Sequence, residues 1–407
     1  SNIPANIFIM LDVSGSMNAT LYSGTQVLYP TDVAIDSSGN VYALEVGGYI
    51  KIFNSSGTFL KKIGKGYGWN CNQWRYSYAF EIYNDKIYIA DYYGGKIKVL
   101  DLNGNCIKSV NTEKQTYWWG WSYPANPTAI AVGSNYTYVA YSSLQKISIY
   151  NTSSLSLARS YDSSSYTYYT YGLALNSSED TLIATNLYTW SWYLGNGKPI
   201  NKFTVSGSNL THSSTIGTSG YTAGNGEFQN ATGAAFDSND NIYVSDQGRH
   251  VLQKLNSSGT YQTKAGTGRI STTSPFYYPY GVTTDSSDNV YVADYYNGSI
   301  RKFDSSLNLL KSYGGSSGSQ LDVAKKVIKK IVSDSNLTAG ANFGFMTWAS
   351  YNKIRVKIDN NGAKNIYNDI DNVTTGLGYG TSLNPAMAEA REYFVNGTDV
   401  NGKFTKV

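Results

Sequence analysis

A chain of 407 residues is too long for one ordinary core, which predicts two domains. Charged residues make up only 15%, the net charge is +4 and the lysines are scattered, so the electrostatic footprint of a nucleic-acid binder is missing. Abundant Tyr (38) and Gly (40), with Ser, Thr and Asn, suit a secreted protein kept soluble by hydroxyls and amides; no run of about 18 apolar residues predicts a membrane span, and Ser1 reads as the start left by a removed signal peptide.

In chain order, the first element is an apolar strand, NIFIML, that ends at Asp12 and turns at once through Ser14 and Ser16 in DVSGSM. From about Pro30 to Gly314 the chain then repeats itself six times. The clearest copies start at Asp32, Ala79, Gly233 and Gly281, and weaker ones start at Pro127 and Gly172. Each reads as four short alternating strands joined by Gly, Asn, Asp and Ser turns, as in DSSGN, NVYVAD, a GG turn, IxKF and a closing strand. A lone four-stranded sheet has two apolar faces to hide, whereas a ring of such sheets buries each face against its neighbour.

These copies resemble the NHL family of six-bladed β-propellers, through the NVYVAD-like core of each. The resemblance implies a fold and leaves function open, because propellers host enzymes, ligand traps and scaffolds alike. Asp36, Asp237 and Asp285, in DSSGN and its variants, look like fragments of calcium loops but are better read as Asx turns that close hairpins.

After the repeats, QLDVAKKVIKKIVSD predicts a helix with Leu321, Ala324, Val327, Ile328 and Ile331 on one stripe. The strand NFGFMTWAS, a second strand near 353–358 and a helical segment near 363–371 follow, then GLGYGTSLNPAMAEAREYF, a Gly-rich loop opening a helix. This order predicts a doubly wound α/β domain whose ligands sit at the carboxyl ends of its parallel strands. The flanks resemble a von Willebrand factor A domain. That resemblance implies a metal-ion-dependent adhesion site with Asp12, Ser14 and Ser16 as its first loop and Thr381 as its second; the Asp of the third loop has no candidate before Val407.

Hydroxyls and one carboxylate suit Mg²⁺, with Ca²⁺ or Mn²⁺ as alternatives, and leave the ion able to take an acidic group from a partner. The expected architecture is therefore a multidomain chain. An all-β six-bladed propeller at 21–318 is inserted into an A-like α/β domain, 1–20 with 319–407, that is incomplete at its C-terminus. Insertion is physically easy because a closed ring brings its two ends side by side.

An A domain with GTSLNPAMAEAREYF and LDVAKKVIKK resembles the PilC/PilY family of type IV pilus tip adhesins. The resemblance implies an extracellular protein at a cell surface or pilus tip, contacting minor pilins and a surface ligand.

Aromatic clusters at Trp118, Trp119 and Trp121, and at Trp190, Trp192 and Tyr193, read either as a partner-binding loop surface or as cover for blade ends. The two cysteines, Cys71 and Cys106, allow at most one disulfide, and whether they pair stays open. Asn-x-Ser/Thr sequons recur, as at Asn54 and Asn135, mostly in turns.

The reading is thus an adhesion or binding protein, with a structural filament component as the alternative. Catalysis ranks last and the chain is expected not to be an enzyme: it has only two histidines, His212 and His250, both expected at the surface, and its carboxylates fall mostly in turns.

Overall fold

The computed structural model describes residues 5–12, 26–116, 119–142, 144–166, 169–187, 198–268, 275–314, 320–348, 352–373 and 390. Contacts divide the chain into two compact units, Thr25–Gly315 and Ser1–Gly24 with Ser316–Val407.

The larger unit is a β-propeller of six four-stranded antiparallel sheets, here blades 1 to 6, at 30–63, 79–111, 127–162, 170–216, 231–265 and 279–314. Each blade is one uninterrupted stretch of chain, with its strands in sequence order from the centre outward. Successive side chains of a strand point to opposite faces, and in the second strands nearly every position is buried, so both faces pack against neighbouring blades. Leu44 and Ile50 of blade 1 pack on Phe80 and Leu100 of blade 2. The series runs through Val99 with Val139, Ile149 with Phe203, Ile183 with Leu255 and Tyr243 with Phe303. It closes where Tyr291 and Tyr313 of blade 6 meet Phe53 of blade 1. There the Tyr313 hydroxyl also donates to the Ser55 carbonyl at 3.1 Å.

The hairpin turns are made by the repeats themselves. In blade 1 Asp36 Oδ1 accepts from Ser38 N at 2.9 Å and Asn40 N at 2.8 Å, and its Oδ2 accepts from the Tyr42 hydroxyl at 3.2 Å. Asp237 with Tyr243 and Asp285 with Tyr291 repeat the device in blades 5 and 6. These aspartates are Asx-turn closers, their oxygens taken up by backbone amides and a buried tyrosine.

The innermost strands crowd one another. A Cβ on Gly233 would lie 2.5 Å from the Tyr280 carbonyl oxygen, and one on Gly281 would lie 1.9 Å from Asp32 Oδ1. Only glycine fits at such an approach.

The described part of the smaller unit has strands β1 (Ala5–Asp12), β2 (Ala341–Trp348) and β3 (Asn352–Asp359), and helices α1 (Gln320–Ser333) and α2 (Gly362–Asp369). β1 pairs with β2 in parallel, while β3 adds antiparallel to β2. The described sheet is therefore mixed rather than wholly parallel, because the connection between β2 and β3 is too short for a parallel crossover.

Leu321, Ile328 and Val332 of α1 are buried with Leu11, Phe343, Phe345, Val356 and Ile366. The expected stripe is corrected at two positions: Val327 is 52% and Ile331 36% exposed. With about 100° per residue, a stripe centred on Ile328 leaves Val327 a quarter turn off the buried face. Arg355 holds Asp369 with both prongs, Nε to Oδ2 at 2.6 Å and Nη2 to Oδ1 at 3.0 Å, tying β3 to α2.

Candidate binding face and channel

Because each blade runs strand 1 to strand 4 antiparallel, connections 1–2 and 3–4 emerge at one end of the ring. Connections 2–3, and those from one blade to the next, emerge at the other. The first end carries the short Asp, Asn, Ser and Gly turns, and the second carries longer loops in which the aromatic residues collect. Both ends of the ring segment also emerge there; a Cβ on Gly314 would lie 2.6 Å from Val27 Cγ2.

Tyrosines pave this loop end around the channel mouth. In blades 2 and 6 a Tyr-Tyr pair follows the second strand, with ring centroids 4.8 Å apart for Tyr92–Tyr93 and 4.9 Å for Tyr295–Tyr296. Blade 1, between them, has Val46 and Gly47 at that place. One group runs from Tyr67 through Tyr76 and Tyr93 to Tyr92, Tyr78 and Tyr171. The other joins Tyr29, Tyr295, Tyr296, Tyr277 and Tyr280.

The two groups adjoin: Tyr295 lies within electrostatic reach of Tyr67 and Tyr76, and Tyr280 of Tyr78. Contacts are mostly tilted or edge-to-face, the arrangement that the ring quadrupole favours. Burial, reinforced by neighbouring phenols, pushes Tyr78 and Tyr295 up to about 12, so they stay neutral hydroxyls. Tyr67 and Tyr296 (each 51% exposed), Tyr93 (53%) and Trp69 (64%) face solvent.

The loops are held by an acid that closes the second strand. Glu45 accepts from Leu28 N at 2.7 Å, Asp91 from Arg75 N at 2.7 Å, Asp246 from Gln229 N at 2.7 Å and Asp294 from Tyr277 N at 2.8 Å. A base on the third strand neutralises three of these acids, through Lys51–Glu45, Lys98–Asp91 and Arg301–Asp294. In blade 5 the equivalent residue is Gln253, whose Nε2 donates to the Glu227 carbonyl at 2.7 Å. The recurring acid of NVYVAD and the Lys, Arg or Gln of the third strand were visible in the repeats as the signal for this clamp.

The loop 64–78 between blades 1 and 2 is tied a second time. Cys71 and Cys106 form a disulfide, which joins that loop to the outer strand of blade 2. Trp74 is fully buried beneath the loop, against Gly64.

The innermost strands enclose a channel of about 220 Å³. Two carboxyl groups line it that the sequence reading missed. Asp32 accepts from Val33 N and from Phe80 N of blade 2, both at 2.9 Å, and Glu81 accepts from Val132 N of blade 3 at 2.7 Å. Burial raises Asp32 to about 7, against the pull of those two amide bonds. Burial raises Glu81 to about 8, with the Asp32 charge adding to it. Two acids that hold or release a proton near neutral pH can act as general acid or base, or receive a cationic group.

Of the residues singled out in the sequence, Trp119 and Trp121 are 50% and 64% exposed beside a two-stranded hairpin between blades 2 and 3. Trp121 stacks on Tyr123 at 6.5 Å. Trp118, Trp190, Trp192 and Tyr193 lie outside the described residues, as do Ser14, Ser16 and Thr381. Asp12 ends β1, and nothing is described of its side chain. Among the described residues no three His, Cys, Asp or Glu side chains cluster as metal ligands. No described helix is long and apolar enough to cross a membrane.

His250, expected at the surface, is instead buried, and its Nδ1 accepts from Tyr278 N at 3.1 Å. His212 is half-buried and stacks on Tyr166 at 3.8 Å.

The family model for the NHL repeat matches residues 276–303, within and just before blade 6. No curated protein matches the chain in sequence. A protein of unknown function from Bacteroides thetaiotaomicron is similar in structure, with a TM-score of 0.51 at 14% identity over 72% of this chain and 74% of that one. A chain of a nidogen/laminin complex scores 0.50 at 15% identity, over 67% of this chain and 92% of that one. Virginiamycin B lyase from Staphylococcus aureus scores 0.46 at 15% identity, over 72% and 86%. At these identities the likeness is one of fold, and the fold it supports is the β-propeller; it lends no support to an A domain in the flanks.

The expectation that the chain is not an enzyme is corrected. Carboxylates were expected mostly in turns, yet Asp32 and Glu81 lie on the channel wall, where burial raises both toward neutral pH. Neither the fold nor the residue inventory excludes catalysis.

Proposed function

We propose that the chain is an extracellular binding protein of the adhesion type, which takes its ligand on the tyrosine-paved end of the propeller. The observation that carries this reading is the segregation of aromatic residues. They fill the loops of one end, held by buried acid clamps, while the other end carries small polar turns. Tyr and Trp offer large contact area at low entropic cost, and rigid support preserves that advantage.

The finer parts of the proposal come from the flanks. A divalent cation, Mg²⁺ first, would be held by Asp12, Ser14, Ser16 and Thr381 and would take an acidic group from a partner. Placement at a type IV pilus tip or cell surface, beside minor pilins, follows from the resemblance of the flanks to PilC/PilY adhesins.

Two measurements test the proposal. Binding of the purified full chain to intact cells and to abiotic surfaces should fall at least ten-fold in a Tyr67→Ser, Tyr93→Ser, Tyr296→Ser triple variant; unchanged binding overturns the face assignment. Calorimetric titration of Mg²⁺ should give one site that Asp12→Ala abolishes, and equal binding by both proteins removes the metal site.

A further inference from the structure

We infer that the tyrosine pavement binds an anionic polysaccharide, an inference that rests on the binding face proposed above and names its ligand. Three observations point to this chemistry. The rings of Tyr67, Tyr93, Tyr296 and Trp69 are each at least half exposed, which sets aromatic surface beside phenol hydroxyls. Aromatic faces attract the electropositive C–H edges of a saccharide ring, and the phenols can exchange hydrogen bonds with its hydroxyls.

The second observation concerns charge. Of the acids at this end, those nearest the pavement, Glu45, Asp91, Asp246 and Asp294, are buried and consumed by backbone amides, three of them also by a base, while Glu113, Asp162 and Glu227 lie at or after the ends of blades 2, 3 and 4. By contrast, Lys65 is exposed, and Arg75 stacks over Trp69 at 4.5 Å. Neither makes an ion pair with a carboxylate among the described residues. The charge left facing solvent on the loop 64–78 is therefore positive, and it complements carboxylates or sulfates along a sugar chain.

The third observation argues against a peptide bound as an added strand. Such a peptide gains affinity by adding its backbone to a free strand edge. Here the end of the ring offers connections instead, and the loop amides of Leu28, Arg75, Gln229 and Tyr277 already donate to the clamp acids. A ligand that brings its own hydroxyls needs none of these groups.

The test titrates the full chain with oligogalacturonate, its methyl-esterified neutral counterpart, a heparin oligosaccharide and polyglutamate of similar charge. At least one of the two anionic sugars should bind ten-fold or more tightly than both the neutral ester and polyglutamate, with affinity falling as salt rises. Tyr93→Ser with Tyr296→Ser should weaken that binding at least ten-fold, Lys65→Glu with Arg75→Glu likewise, and Tyr93→Phe less than three-fold because the ring remains. Near-ultraviolet dichroism and the melting temperature identify a variant that fails to fold, and the phenylalanine and charge-reversal variants carry the test if the serine variants do.

The inference is overturned if neither anionic sugar binds, if polyglutamate binds as well, or if the ring and charge variants bind unchanged. The same variants scored for binding to cells separate the two readings. Lost cell binding without any sugar binding removes the ligand class and leaves the face, whereas unchanged cell binding without sugar binding removes both.

Discussion

Asp91 Oδ2 and Lys98 Nζ meet at 2.7 Å with neither side chain exposed, and between them they fasten the aromatic loop 64–78 to blade 2. The lysine also donates to the Asn70 carbonyl at 3.1 Å and to that of Gln73, while the other Asp91 oxygen takes the Arg75 amide. Lys98→Met leaves a buried carboxylate without its counter-charge. It should cost about 3–5 kcal/mol in urea unfolding at neutral pH. The double variant Lys98→Met, Asp91→Asn should recover part of that loss, and equal stability of wild type and single variant would contradict the assignment.

The disulfide is the second fastening of the same loop. Cys71→Ser with Cys106→Ser should lower stability by about 2–4 kcal/mol. It should also weaken binding at the tyrosine face, since Tyr67, Trp69 and Tyr76 ride on the freed loop. Reduction of the wild type should reproduce both effects; a loss of stability with unchanged binding would show that the loop is not part of the face.

The channel acids set a pH dependence with a definite sign. Glu81 and Asp32 have folded pKa values of about 8 and about 7, above their ordinary values of 4.5 and 3.8. Between about pH 4 and pH 8 the unfolded chain gives up protons that the folded ring keeps, so stability falls as pH rises through that window. Glu81→Gln keeps an acceptor for Val132 N and removes one titration. Its stability should vary less between pH 5 and pH 9, and at pH 9 it should exceed wild type by on the order of 2 kcal/mol. Denaturant midpoints across that range check this, and parallel curves for the two proteins would refute it.

Gly233 tests the crowding of the innermost strands. Gly233→Ala would set a methyl group against the Tyr280 carbonyl and the Val282 amide, 2.5 and 2.9 Å away, neither able to move without parting blades 5 and 6. A loss of about 2–3 kcal/mol in thermal or urea unfolding is expected; a neutral substitution would mean that the blades can separate at little cost.

The blades were legible in the sequence because their signal is local. A turn such as DSSGN followed by NVYVAD carries its own hydrogen-bond partners, Asp36 with Asn40 and Tyr42. The channel acids were not legible, because Asp32 and Glu81 differ from other strand carboxylates only in what other blades place around them, Phe80 and Val132 included. Sequence showed the aromatic clusters one at a time. Their convergence emerges only when strand direction assigns each loop to an end, which brings Tyr29 beside Tyr295 across almost the whole length of the ring. His250 failed for the opposite reason: a polar residue in a short turn reads as exposed, yet the 275–280 loop covers it and donates the Tyr278 amide to it.

No blade borrows a strand from another, so among the described residues the seam between blades 6 and 1 itself is made by side chains, where Phe53 meets Tyr291 and Tyr313. Propellers that interlock their first and last strands fix the number of blades by wiring. This one behaves as a clasp without a latch: gene duplication could add or delete a whole sector without rethreading the fold, and mechanical load or heat should part it first at that seam.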